Sequence, residues 1–297
     1  MYKRQLLNIA VAVCVSWFVG AIAMIAPSES PTLSAMRSSA VLGSLIDAVP
    51  PQGTLGVLVL RSGIAPSVNG PLVLAEEPLE RSANTPAVLA ARARVVQVRG
   101  EGCGEYVSGT GWVAGEGIVV TNAHVVAGTT NTVLAGGPTF AGAAATVTAF
   151  DPVNDIAVLV LEPGSAGLPP PLPIVARVRH GEAAAVIGYP RGGEQRVVAA
   201  RIDRVSDYEV VPLGGGPAET APVLAFRAAV EPGNSGGPIV AEDGSVLGLV
   251  VSKAIGQRVA AGYGVASAQL LPVIAEGARR IEVPTGACLP DEALKFG

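Results

Sequence analysis

Pro232-Gly-Asn-Ser-Gly-Gly-Pro238 is the stretch from which the rest of the chain can be read. Glycines permit tight turns and let a backbone come close to a bound group, so Ser235 is presented on an exposed bend. A hydroxyl that attacks a carbonyl needs a base to take its proton and two N–H donors aimed at the developing oxyanion. The backbone amides of Gly233 and Ser235 are the candidate donors.

Only His124 and His180 could supply the base. His124 lies in Thr121-Asn-Ala-His-Val-Val-Ala127, after the strand-like Gly117-Ile-Val-Val-Thr121 and before a short helical turn. His180 lies in the polar Arg179-His-Gly-Glu182, where a solvated turn residue is expected. An acid must then hold the imidazole tautomer and stabilise the imidazolium. Asp155 opens the apolar strand Ile156-Ala-Val-Leu-Val160, which puts a carboxylate at the mouth of a rigid element. Asp151, beside Pro152, competes with it but suits a turn. The expected catalytic set is therefore His124, Asp155 and Ser235, in that chain order. A lipase or esterase would run Ser, Asp, His instead. A protease-like fold kept for binding or scaffolding without turnover is the alternative from another class, and the intact set argues against it.

Composition agrees with an all-β enzyme. The chain has 297 residues, 49% hydrophobic and 15% charged, enough apolar material for a sizeable core. Aromatics are only 4% and glycines number 37, which suits short strands joined by tight turns. The net charge of −4 and the absence of any Lys/Arg run longer than a pair exclude a nucleic-acid footprint. Two histidines and three scattered cysteines, Cys14, Cys103 and Cys288, supply no metal-ligand spacing, so no metal and no cofactor are expected.

Leu6 to Ala26 carries no charge, follows Lys3 and Arg4, and ends at the polar Pro27-Ser-Glu-Ser-Pro31. That length and charge asymmetry predict a single membrane span over residues 1–27 with the remainder outside the cytoplasm. Ala21-Ile-Ala23 offers the competing reading of a cleaved signal peptide. In an oxidising compartment Cys103 and Cys288 form an even pair. They are either a disulfide, stabilising by about 5 kcal/mol at most in the chain-entropy model, or two buried thiols.

Residues 28–86 read as a juxtamembrane helix, capped by Ser30 with Pro31 at its first position, followed by a Gly/Pro-rich linker. From residue 87 to 297 a short helical lead-in gives way to strand-like segments bounded by Gly and Pro. The predicted strands are Val95 to Arg99, Val107 to Ala114, Gly117 to Thr121, Phe140 to Phe150, Ile156 to Leu161, Ala183 to Gly188, Gln195 to Ser206, Val223 to Arg227, Pro238 to Ala241, Val246 to Ser252 and Gly262 to Val265. So many short strands indicate a barrel or sandwich. A final helix, Ala266 to Gly277, precedes the tail with Cys288.

Five segments carry a family resemblance: Ser108-Gly-Thr-Gly-Trp112, Thr121-Asn-Ala-His-Val-Val126, Asp151-Pro-Val-Asn-Asp-Ile-Ala-Val-Leu159, Ile187-Gly-Tyr-Pro190 and Gly233-Asn-Ser-Gly-Gly-Pro238. In this order and spacing they resemble the chymotrypsin clan of trypsin-like serine proteases, in particular the bacterial HtrA-like stress proteases. The resemblance implies two perpendicular six-stranded β-barrels with the triad His124, Asp155 and Ser235 between them and an oxyanion hole at the amides of Gly233 and Ser235. It also implies a serine endopeptidase acting on peptide or protein substrates. The chain after Ser235 is taken up by the last strands, the helix and the tail, so no PDZ domain is expected. In this the sequence is more similar to the membrane-anchored actinobacterial acid-resistance periplasmic proteases, the MarP family, which carry several spans where one is seen here. That likeness implies a Cys103 to Cys288 disulfide and a place in acid or envelope stress. Phe226-Arg-Ala-Ala-Val-Glu231 and Val250-Val-Ser-Lys-Ala254 are expected to wall the specificity pocket. Ala228 and Ala229 favour a small or apolar pocket, whereas Arg227 and Lys253 could reach it.

Overall fold

The computed structural model describes residues 68–69, 75–102, 105–136, 142–162, 167–254 and 259–286. The expected membrane span, the juxtamembrane helix, Cys103 and Cys288 lie outside the described residues. Among the described residues no helix is long and apolar enough to cross a membrane.

The first half of the domain is a closed barrel. Its strands are β2 (Val95–Gly102), β3 (Glu105–Gly115), β4 (Ile118–Thr121), β5 (Thr129–Ala135), β6 (Ala143–Asp151) and β7 (Ile156–Leu161), joined in the order β2-β3-β4-β7-β6-β5. The second half is a sheet of β8 (Ala183–Gly188), β9 (Arg196–Val210), β10 (Glu219–Arg227), β11 (Pro238–Ala241), β12 (Val246–Lys253) and β13 (Ala261–Ala266), with the short β1 (Val68–Asn69) added at β9. Its order is β1-β9-β10-β13-β12-β11-β8, and β8 pairs back onto β9 from Ala183↔Arg201 to Gly188↔Arg196. All the strand pairings of both halves are antiparallel.

The inner strands β4 and β7 of the first barrel are buried on both faces because both faces are covered. In β7, Ile156, Val158 and Val160 join a cluster shared with Ile187, Leu249 and Val265 of the second half. Ala157 and Leu159, on the opposite face, pack inside the first barrel with Val96, Val119 and Leu134. A third cluster, with Ile202, Leu224, Phe226 and Ile239, fills the second half. A one-residue slip of β7 would exchange two buried faces, so its register is held by packing and not by polarity.

Upstream residues are packed onto the second sheet as well. Thr85 caps α1 (Pro86–Ala91) by accepting from Val88 N at 3.2 Å, and its own hydroxyl donates to Glu242 O at 2.7 Å. Arg201 and Arg227 stand directly opposite each other across β9 and β10. Such a like-charge pair is unfavourable alone, and it is met by Glu76, 2.9 Å from Arg201, and Glu77, 2.9 Å from Arg227. At the other end, α3 (Ser267–Gly277) leads to Arg280, which donates to Glu116 O at 2.8 Å, and to Val283, whose N–H bonds Val147 O at 3.0 Å. The chain thus returns from the second sheet to the first barrel.

Two strands lie outside the sequence reading, the two-residue β1 in the segment expected to be a linker and the longer β5. β5, Thr-Thr-Asn-Thr-Val-Leu-Ala, buries only Thr132 and Leu134, and Asn131 breaks its alternation with a φ of 54°.

Candidate active site

His124 lies on α2 (Ala123–Val126), a single helical turn that follows β4 directly and is buried at every position. Asp155 ends the turn between β6 and β7 and holds a φ of 55°. Its carboxylate grips the histidine twice: Oδ1 accepts from His124 N at 2.8 Å, and Oδ2 lies 2.6 Å from Nδ1. A carboxylate can only accept, so this contact puts a ring proton on Nδ1, and in the neutral imidazole Nε2 is then the nitrogen that carries the lone pair. Asp155 is 1% exposed and His124 8%. The pair is shielded from water, where a charge contact is strong.

Asp151 does something different. Its Oδ1 accepts from Val153 N and Asn154 N, each at 3.0 Å, and its Oδ2 from Asn154 Nδ2 at 2.7 Å. It builds the turn that delivers Asp155. His180 is 72% exposed and its Nδ1 bonds the Asp203 carbonyl.

Ser235 lies between β10 and β11, in the turn of Gly233, Asn234 and Gly236. Gly236 has a φ of 81°, and a Cβ there would fall 2.0 Å from Thr110 O. No other residue fits while the turn presses on β3. The turn is tied to β12 through Gly236 N to Val250 O and Val250 N to Gly237 O, both 2.9 Å. Ser235 Oγ donates to Val251 O at 3.1 Å.

The two candidate donor amides are oriented by their own peptide planes. Pro232 O accepts from Arg191 N at 2.6 Å and Asn234 O from Gly237 N at 2.9 Å. In a trans peptide the N–H points opposite to the carbonyl, so Gly233 N–H and Ser235 N–H face away from these anchors. Among the described residues neither donates to an acceptor.

Two residues were not read as site residues. Asn122 Nδ2 donates to the Asp155 carbonyl at 2.8 Å, and Thr110 bonds Gly233 in the turn that carries Ser235. Both sit inside quoted motifs, which was the only signal. On the expected specificity wall, Arg227 is turned onto Glu77 and Ala75 O, and Ala228 and Val230 are buried. No cluster of three or more metal-ligating side chains occurs among the described residues.

A buried His–Asp pair on a closed barrel, with a serine turn from the adjoining sheet, defines a trypsin-like serine protease. The trypsin-like peptidase domain family matches residues 109–249. More of the chain is shared with the serine protease Rv3671c of Mycobacterium tuberculosis, 32% identical over 95% of this chain and 73% of that one, and the chain belongs to its family. The crystal structure of the active form of that protease superposes with a TM-score of 0.69 at 33% identity, covering 75% of this chain and 97% of that one. Mitochondrial HTRA2 of Bos taurus is 37% identical over 49% of this chain and 31% of its own. The protein is accordingly a serine endopeptidase of the HtrA and Rv3671c type.

Proposed function

We propose that this chain hydrolyses peptide bonds through Ser235 as nucleophile, His124 as general base and acid, and Asp155 as the residue that orients the histidine. The two-point contact of Asp155 with His124 carries this reading. For attack, Ser235 Oγ must leave Val251 O and turn to His124 Nε2. Oγ then attacks the scissile carbonyl while its proton passes to Nε2. The tetrahedral oxyanion is met by Gly233 N–H and Ser235 N–H. Collapse breaks the C–N bond as Nε2 returns the proton to the leaving amine. Water, activated by the same nitrogen, hydrolyses the acyl-enzyme and restores the serine. Asp155 stays ionised throughout.

Substrates are peptides or proteins. The turned-away Arg227 and the buried Ala228 and Val230 favour a small or apolar side chain at the cleaved residue. Two perpendicular six-stranded barrels are the arrangement that the paired strand orders fit. The uncharged Leu6 to Ala26 segment after Lys3 and Arg4 supports a membrane anchor with the protease domain outside the cytoplasm. That compartment favours a disulfide between Cys103 and Cys288.

A fluorophosphonate probe tests the central reading. The adduct is expected on Ser235 by mass spectrometry, and Ser235→Ala should lose it while keeping its fold; labelling of the folded variant would refute the assignment. The same digest, with and without reductant, reads the cysteine pairing.

A further inference from the structure

Ser108-Gly-Thr-Gly-Trp112 has no part in the triad, yet its central residue lies at the junction of the site. Thr110 is fully buried in β3. Its Oγ1 donates to Gly233 O at 2.6 Å and accepts from Tyr189 N at 3.0 Å. Its N–H donates to Ser235 O at 2.8 Å, and its carbonyl accepts from Thr121 Oγ1 at 2.7 Å. We propose that Thr110 is a positioning residue for the oxyanion hole, holding Gly233 in the conformation that presents its N–H to the substrate carbonyl. The proposal rests on the assignment of Ser235 and the Gly233 and Ser235 amides given above.

Gly233 is flanked by two peptide planes and holds a φ of 91°. The plane before it carries the donor N–H and is held at Pro232 O by Arg191 N. The plane after it is held at Gly233 O by the Thr110 hydroxyl. Thr110 also steadies the first anchor, because Tyr189 belongs to the same turn as Arg191 and its N–H ends on Oγ1. The two loops touch backbone to backbone: a Cβ on Gly233 would lie 2.5 Å from Tyr189 O and 2.8 Å from Arg191 N. Glycine is therefore required at 233, and glycine is the residue whose planes rotate most easily. A hydroxyl has one proton to give and lone pairs to receive, and Thr110 uses both functions to remove that freedom. An amide already aimed at the oxyanion needs no reorganisation as charge develops, which is where oxyanion holes gain their effect.

Removing the hydroxyl should act on the chemical step and not on substrate binding. Loss of a whole oxyanion donor lowers kcat by about 100- to 1,000-fold, and a loosened donor should lie at or below the low end. Thr110→Val keeps the volume and removes the hydroxyl; Thr110→Ser keeps the hydroxyl and removes the methyl. With a peptide substrate, Thr110→Val is expected to lower kcat by roughly 10- to 100-fold with KM little changed. Thr110→Ser should restore most of kcat. A tetrahedral peptide boronate should bind Thr110→Val more weakly by a similar factor, whereas the unreactive peptide of the same sequence should bind equally. Where valine does not hold the fold, Thr110→Ala takes its place. A folded valine or alanine variant with parental kcat overturns the proposal, as does a folded serine variant as impaired as these. Failure of the underlying reading looks different, because the parent protein would then carry no fluorophosphonate adduct on Ser235.

Discussion

Asn122 and Asp155 are joined by a single buried hydrogen bond, from the side-chain amide of one to the backbone carbonyl of the other, at 2.8 Å. Asn122 is 0% exposed. Asp155 holds left-handed backbone, a conformation that costs a non-glycine residue about 1–2 kcal/mol. The bond fixes the carbonyl of that residue, and so helps to aim its carboxylate at the backbone N–H and ring Nδ1 of His124. A residue two positions before the histidine thereby supports the acid that orients it.

Asn122→Ala leaves the Asp155 carbonyl buried without a partner. The loss of stability should be about 1–3 kcal/mol, read from denaturant unfolding, with a parallel loss of peptidase activity. An unchanged midpoint would show that the bond is dispensable.

Asp155→Asn keeps the shape of the acid and removes its charge. The asparagine can turn its amide toward Nδ1 and select the wrong tautomer, so kcat should fall by about 10,000-fold with the fold retained. Steady-state kinetics alongside circular dichroism would check this. A fall of only a few-fold would assign the tautomer control elsewhere.

Tyr208 is buried against Tyr263, ring centroids 5.7 Å apart, and its hydroxyl has no hydrogen-bond partner. Burial, with Tyr263 beside it, raises the phenol above its usual range, an effect that Arg204 offsets in part and Asp203 reinforces. The unfolded chain therefore releases this proton first, and the protein loses stability as pH climbs from about 10 toward the folded-state value. Tyr208→Phe should remove that alkaline loss. At neutral pH it should stabilise by about 1 kcal/mol, since it deletes an unpaired buried hydroxyl. Melting curves from pH 7 upward would show both effects, and parallel curves for the two proteins would contradict them.

Gly277 ends α3 where the helix meets β7, and a Cβ there would fall 2.4 Å from Val158 Cγ1. Gly277→Ala should therefore destabilise by about 1–3 kcal/mol through overpacking, even though alanine favours helices. A thermal midpoint equal to the parent's would mean that the helix can shift at no cost.

Sequence legibility followed the range of the interaction. β8 and β11 begin and end at the residues read for them, because Gly or Pro punctuates both strands. The candidate set His124, Asp155 and Ser235 can be picked out of the sequence because its residue types are scarce or their neighbours distinctive, and the fold brings His124 and Asp155 into contact. β9 was read to Ser206 and runs to Val210, since Asp207 and Glu209 look like a loop but are the exposed half of an alternation with buried Tyr208 and Val210. β5 was lost for a related reason, its threonines and Asn131 hiding a strand that buries little. The work of Thr110 was beyond reach: its partner Gly233 lies 123 positions away, and no local pattern reports a contact that only the folded backbone creates.

His124 and Asp155 both belong to the first barrel, and Ser235 with the amides proposed as its donors belongs to the second sheet. During synthesis His124, on α2, and Asp155, in the turn before β7, are therefore made while the serine turn is still to come. A chain stalled at that stage holds an imidazole with nothing to activate. Even after Ser235 emerges, its turn lacks the β12 carbonyls that brace it. The proposed site is therefore the last part of the domain to be assembled, because the strand that braces its serine turn follows that turn in the chain.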